Sequence, residues 1–235
     1  MSDVAALRRV AVIGVVLAVV VGVTSTLAFL AAFGWDIAAA LVGDPAAIID
    51  GGPEAAALLR WGAIGDMFYS YLLLAPLALY LHRLLRPRKP WLADLGTLAG
   101  FAYIFVGASG AVILASVGPP LIEAYATAAP ADRPAILVSF ELLRNVVFFG
   151  LWQTLDPLTL GTWVASVGLL LRPERGAVGR FLVVLAGALF AASGMTMLGI
   201  HSLPVIAVGV LLVVLVWAGW GLVDRAARSA NAEEA

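Results

Sequence analysis

Apolar residues run through this chain in long unbroken stretches, and the polar residues gather in short groups between them. The first stretch, residues 10–33, is about 24 residues long, enough at ~1.5 Å per residue to cross a hydrocarbon core of ~30 Å. It exceeds the roughly 7–15 residues of a signal-peptide core, so it reads as a retained span. Residues 58–81, 95–117, 181–200 and 204–223 have the same character. A further region, 140–171, is longer and carries polar groups along its first half. With 224–235 as a polar cytoplasmic tail, the pattern predicts a single integral membrane domain over residues 1–235, an all-α bundle of six transmembrane helices.

The polar punctuation orients these spans. Residues 34–52 hold Asp36, Asp44 and Asp50 among Gly and Pro breaks and form a connector, with one short helix over residues 37–41. The second span ends in HRLLRPRKP, whose Arg83, Arg86, Arg88 and Lys89 mark a cytoplasmic turn. Residues 119–134 carry Glu123, Asp132 and Arg133 and leave the membrane, and a tight HSLP turn joins the last two spans. With both termini cytoplasmic, that side holds Arg8, Arg9, Arg83, Arg86, Arg88, Lys89, Arg172, Arg175, Arg180, Arg225 and Arg228, leaving only Arg60, Arg133 and Arg144 elsewhere. An alternative with seven spans breaks the 140–171 region at Asp156 and Pro157 and puts Arg172, Arg175 and Arg180 outside, against the same rule.

An internal echo supports six. LLRP at 84–87 is followed after 20 residues by ASG at 108–110, and LLRP at 170–173 after 18 residues by ASG at 192–194. Spans 2 and 3 would then repeat as spans 4 and 5 in the same orientation. The alignment also sets depth. Asp66 and Trp152 each lie 18 residues before their LLRP, so Asp66, Trp152 and Gln153 share a level in the outer leaflet, with Asp156 about a turn deeper.

Composition removes whole classes of function. The chain is 63% hydrophobic and 12% charged, against roughly 25% charge in a soluble domain. A formal net charge of -1 gives no field that would gather nucleic acid. Without cysteine there is no disulfide, thiolate nucleophile or Cys-ligated cluster. The one lysine, Lys89, lies outside every apolar span, which rules out a retinal Schiff base. The bias to Ala, Gly, Leu and Val points to a bacterial genome of high GC content.

Candidate chemistry concentrates in residues 140–157, FELLRNVVFFGLWQTLDP. Helical spacing would put Glu141, Asn145, Trp152, Asp156 and Thr159 on one stripe with Arg144 beside it, and Pro157 would kink the helix. The LLRP alignment lifts Glu141, Arg144 and Asn145 to the outer headgroups or beyond, while Gln153 and Asp156 descend. A lone carboxylate in hydrocarbon costs at least about 2.5–3.5 kcal/mol, so Asp66 and Asp156 should face inward. The candidate ligand-binding set is therefore Asp66, Tyr69, Ser70, Arg144, Gln153, Asp156 and His201, lining a cavity open to the outside with Ser109, Ser116 and Ser202. The competing reading is a structural cluster that fixes helix rotation, with Asp66 bonded to Tyr69 and to Arg60 or Arg144.

Asp66, Asp156, Glu141 and His201 offer the donors of a divalent-ion site but no HExxH spacing. His201 with an Asp and a Ser offers hydrolytic chemistry but no GxSxG. Ion or proton coupling needs only a titratable carboxylate reached alternately from two sides. No metal, cofactor or catalytic residue is assigned. The other polar and aromatic positions read as packing. Thr24, Ser25 and Thr26 bond back to the preceding turn, and His82 lies at the cytoplasmic headgroups. Trp61, Trp91, Trp152, Trp217 and Trp220 anchor at interfaces, Trp163 packs inside, and Tyr69, Tyr71 and Tyr80 fill the core or a lipid groove. Gly96 and Gly100, with Gly107 and Gly110, form a helix-packing face.

Six spans, an acidic first connector, the basic turn after YLHRLLRP, a long fourth helix ending in LLLRP and VGRFL opening the fifth together resemble a large group of uncharacterised bacterial six-helix membrane proteins, over residues 10–225. The resemblance implies topology and no site residue. The expected function is small-molecule or lipid binding or transport in the cytoplasmic membrane. An accessory or scaffold subunit and a membrane hydrolase or transferase are the alternatives. Its expected partners are membrane lipids, with a small-molecule ligand or a membrane protein as candidates and no nucleic acid. Six spans require a cysteine introduced at Ala131 to label from outside and one at Ala177 only after permeabilisation; labelling of Ala177→Cys from outside would establish seven.

Overall fold

The computed structural model describes residues 2–171 and 176–201, and among these every regular element is helical. Five runs are long and apolar enough to cross a membrane: Val4–Ala32, Pro45–Leu85, Pro90–Thr127, Arg133–Leu171 and Gly176–Met197. They coincide with the first five expected spans, and the chain is a multi-pass membrane protein. The expected span 204–223, the tail, Ser202, Trp217 and Trp220 lie outside the described residues. The surface is apolar in the manner of a protein solvated by lipid: Leu98, Phe105 and Val184 are each at least 70% exposed.

Helix α1 (Ser2–Ala32) ends at a turn in which Gly34 and Trp35 both take positive φ. Two acids of the connector then act as caps. Asp36 accepts from the Ala39 N–H at 3.0 Å to start α2 (Ile37–Val42), and Asp44 accepts from the Ala46 N–H at 3.0 Å to start α3 (Pro45–Ile48). Gly43 closes α2 in the left-handed region, and Phe148 covers the place where a side chain would project.

The second run is irregular. Helix α4 (Gly52–Asp66) widens into a π-helical turn over Met67–Tyr71, tightens into a 3-10 turn over Leu72–Leu74, and resumes as α5 (Ala75–Leu85). Pro76 explains the change of register. It has no N–H, and its ring would collide with the carbonyl four residues back, so the bonding pattern upstream shifts.

Helix α6 (Pro90–Thr127) runs straight through Pro119 and Pro120, ten residues past the expected end at 117. Its 38 residues span about 57 Å at ~1.5 Å per residue, well beyond a hydrocarbon core. The fourth run starts at α7 (Arg133–Arg144), seven residues before the expected 140, and passes through a long π-helical segment over Asn145–Leu155 into α8 (Asp156–Leu171). It is unbroken at Asp156, so the seven-span alternative lacks the interruption it needs. The irregularity expected at Pro157 lies upstream, in the π-helical segment that leads up to it, as the π-helical turn of the second run leads up to Pro76. That segment also dissolves the expected polar stripe: Glu141 and Asn145 are exposed, whereas Phe148 and Asp156 are buried. Each wide turn holds an extra residue, so a face drawn at 3.6 residues per turn drifts from outside to inside.

The runs pack antiparallel in sequence, with α6 at the centre and α9 (Gly176–Met197) beyond α8. Small residues let the backbones approach. Gly14 meets Leu73, Gly22 meets Tyr69, and Gly62 meets Phe29 between α1 and the second run. On α6, Gly96 faces Ser166, Gly100 faces Trp163, Gly107 faces Tyr71 and Gly110 faces Trp152, which bears out the glycine face as a packing surface. Ser25 departs from its expected local bond and donates to the Gly62 carbonyl at 2.6 Å, tying α1 to α4, while Thr24 bonds back to Val21 as expected.

The buried side chains form two clusters. One, toward the basic turn, contains Tyr80, Leu85, Tyr103, Trp163 and Leu189; the other contains Phe33, Ile48, Leu59, Phe140 and Phe148. Trp152 packs against both. It is not an interfacial anchor, because its indole lies edge-on to Phe148 at 5.0 Å and donates to the Gly107 carbonyl at 3.2 Å. Tyr71 and Tyr80 are 5% and 1% exposed, which settles them as core.

A side chain at position 107 would overlap the Tyr71 ring, so Gly107→Ala should destabilise the fold by about 1–3 kcal/mol. Gly150→Ala, which would make only an ordinary 3.5 Å contact with the Asn145 carbonyl, should be nearly neutral in the same detergent-unfolding measurement.

Candidate functional site

The polar residues of the interior meet at the seam between the two apolar clusters, where α6 faces both π-helical segments. Widening the helix at Met67–Tyr71 changes what this backbone can bond, and the Ser70 carbonyl accepts from the Tyr103 hydroxyl at 3.1 Å. The Ser70 hydroxyl donates back one turn to Asp66 Oδ1 at 2.8 Å. Tyr69 interacts with Asp66, Ser70 and Thr26. One residue on, Tyr71 points across the bundle and donates to Asp156 Oδ2 at 2.6 Å. The Tyr71 and Tyr103 rings lie 5.2 Å apart, tilted by 54°.

Asp66 and Asp156 are thereby joined by one file of groups: Asp66, Ser70, Tyr103, Tyr71, Asp156. Three members of that file sit on the second run, one on α6 and one at the start of α8, so three spans converge on it. Asp156 is 7% exposed, Tyr71 5% and Tyr103 2%, so side chains close over the deeper acid where an open cavity was expected. A water-sized concavity of about 10 Å³ lies nearer the basic turn, among Leu81, His82, Gly96, Thr97 and Ser166.

Among the described residues neither carboxylate is paired with a cation. Asp156 Oδ1 is buried without any hydrogen-bond partner. A buried polar atom left unpaired costs on the order of 1–3 kcal/mol, so it is either tolerated for a reason or satisfied by something the protein binds. Of the expected structural partners of Asp66, Tyr69 reaches it and the arginines do not: Arg60 is exposed, and Arg144 lies over the Phe149 ring at 5.5 Å.

Four of the seven expected site residues are therefore assembled: Asp66, Tyr69, Ser70 and Asp156. The other three lie apart from the carboxylates. Gln153 donates through Nε2 to the Leu41 carbonyl at 3.2 Å, which clasps the connector to the fourth run, and its Oε1 is buried without a partner. Arg144 and His201 share Phe149, on which the exposed imidazole stacks at 4.2 Å and 23°. Ser109 is occupied with the Phe105 carbonyl, and Ser116 is exposed. Glu141 is exposed and His201 is bonded to neither Asp, so the expected metal set and the expected hydrolytic set are both dispersed.

Tyr103 is the functional candidate that sequence reasoning passed over. A tyrosine in mid-span needs a partner for its hydroxyl, and that need was the available signal. Asp94 was missed as well. It lies against His82 Nε2 at 2.8 Å and accepts from Arg86 Nε at 3.1 Å, and so ties the basic turn to α6.

No protein-family model, curated protein or solved structure matches this chain.

Tyr71→Phe strips Asp156 of its one donor and should cost about 1–3 kcal/mol, whereas Tyr103→Phe, which frees a carbonyl with a second lone pair, should cost about 0.5–1.5 kcal/mol. Reversible unfolding of both single variants and of the double variant would measure their coupling.

Proposed function

We propose that this chain is a six-helix protein of the bacterial cytoplasmic membrane, with both termini cytoplasmic, that binds and carries a small molecule or lipid at a site centred on Asp66 and Asp156. One observation carries the reading. Two carboxylates lie inside an apolar bundle, unpaired with any described cation, each accepting from a hydroxyl of the second run, and the deeper one has an oxygen with no partner. Evolution seldom retains an acid in mid-membrane for packing alone, because an apolar residue of similar volume costs less.

The helix irregularities support the same reading. π-helical turns are concentrated at functional sites, and both segments here adjoin an acid: Met67–Tyr71 follows Asp66 and Asn145–Leu155 precedes Asp156. The LLRP offset of 86 residues carries positions 67–71 onto 153–157, which overlaps the second segment. Two half-equivalent broken runs facing a central helix are the arrangement from which alternating access is built. The site is closed in this conformation, so a ligand enters by displacement of the second or fourth run against α6, with the wide turns absorbing the change.

A thermal-unfolding screen of small molecules and lipids on the purified protein tests the site. Any compound that stabilises the wild type should lose that effect in Asp66→Asn and in Asp156→Asn, with each variant still cooperatively folded. Full ligand stabilisation retained in both variants would remove the carboxylates from the site.

A further inference from the structure

Arg144 and His201, separated from the carboxylates, form a group of their own. The Arg144 guanidinium lies 5.5 Å over the Phe149 ring, and the His201 imidazole stacks on the same ring at 4.2 Å. Arg144 Nε is buried and has no hydrogen-bond partner. Among the described residues no carboxylate pairs with Arg144; Glu141, one turn back, is exposed and not bridged to it. A cation held in place by an aromatic face, with no acid to neutralise it, is the half of an ion pair whose other half is a ligand.

Depth and surroundings say which anion. Leu171, at the end of α8, lies beside the basic turn, because Arg88 Nη1 donates to the Leu170 carbonyl at 3.0 Å. Arg144 is 27 residues earlier, at most about 40 Å along the run at ~1.5 Å per residue and somewhat less through the π-helical segment, which carries it across the ~30 Å hydrocarbon core into the headgroup layer. It therefore sits in the headgroup layer opposite the basic turn. Leu142 is 64% exposed and Val146 46% exposed beside it, and Leu198 is 79% exposed near His201. A charged centre fringed by exposed aliphatic side chains has the composition of a phospholipid site, phosphate at the arginine and acyl chain along the leucines.

We propose that Arg144 binds the phosphate of an anionic phospholipid in this layer, held to the site by Phe149 and flanked by His201. This is a second site, independent of the carboxylates.

The test is lipid retention by the full chain in phosphatidylcholine nanodiscs titrated with phosphatidylglycerol, read by native mass spectrometry. Wild type should retain phosphatidylglycerol over phosphatidylcholine, and Arg144→Gln should weaken that retention by about fivefold or more, the contribution of one cation at an anionic surface. Arg60→Gln, which removes the same charge from an exposed position elsewhere, should leave it unchanged. Arg144→Lys should retain an intermediate preference and, together with Phe149→Leu, carries the test if the glutamine variant unfolds. Equal loss in Arg144→Gln and Arg60→Gln would reduce the effect to bulk charge and overturn the site. Stabilisation of the wild type by inorganic phosphate in pure phosphatidylcholine, lost in Arg144→Gln, would keep the anion site but overturn its assignment to lipid.

Discussion

A carboxylate between apolar helices has to be answered by donors brought from elsewhere in the fold, and here the answer to Asp156 is a single phenol reaching across from another span. Every nearby feature serves that approach. Gly107 is bare so that the Tyr71 ring can lie against α6, Trp152 seals the adjoining layer by bonding the Gly107 carbonyl, and Tyr103 takes the Ser70 carbonyl. Hydrophobic burial contributes little to selecting one arrangement of helices in lipid, since acyl chains are as apolar as leucine. Close glycine contacts and a few interior hydrogen bonds must select it instead, and in this bundle the two kinds of contact occupy the same place.

The two broken runs are the cost and the means of that arrangement. A straight α-helix through residues 52–85 would hold Asp66, Ser70 and Tyr71 at fixed angles about its axis. The π-helical turn rotates the second half relative to the first, so that Asp66 and Tyr71 are aimed differently from a simple 3.6-residue spacing. In the fourth run the longer segment performs the same rotation between the exposed Glu141 and Asn145 and the buried Asp156. Both segments precede a proline, which links a local covalent fact, the missing N–H, to the placing of the interior acids.

Much of the architecture could be read from hydropathy, because bilayer thickness fixes span length and five apolar stretches reappear as five helical runs. The small connector helix and the glycine face on α6 were likewise legible in composition. The interior was legible only in part. Asp66 and Asp156 stood out because charge in hydrocarbon is rare, but their mutual link runs through Tyr103, and a tyrosine among leucines announces nothing without knowledge of what it faces. Arg144 was grouped with the acids as a polar residue of the same outer half, and the π-helical segment that follows it alters the rotation between it and Asp156. Two acids of the connector, Asp36 and Asp44, are spent on capping backbone N–H groups.

The packing of Tyr71 on Gly107 has a mechanical meaning. With no side chain on α6 to stand off the ring, the phenol is clamped between two backbones, and its hydroxyl cannot swing from Asp156 by a simple rotamer change. The 2.6 Å bond between Tyr71 and Asp156 is thus a gauge of the distance between the second run and α8: it survives while those two helices hold their spacing and is released when they part. The chemical state of the deepest acid in the bundle is geared to the spacing of two helices, so whatever separates those helices also unmasks a carboxylate.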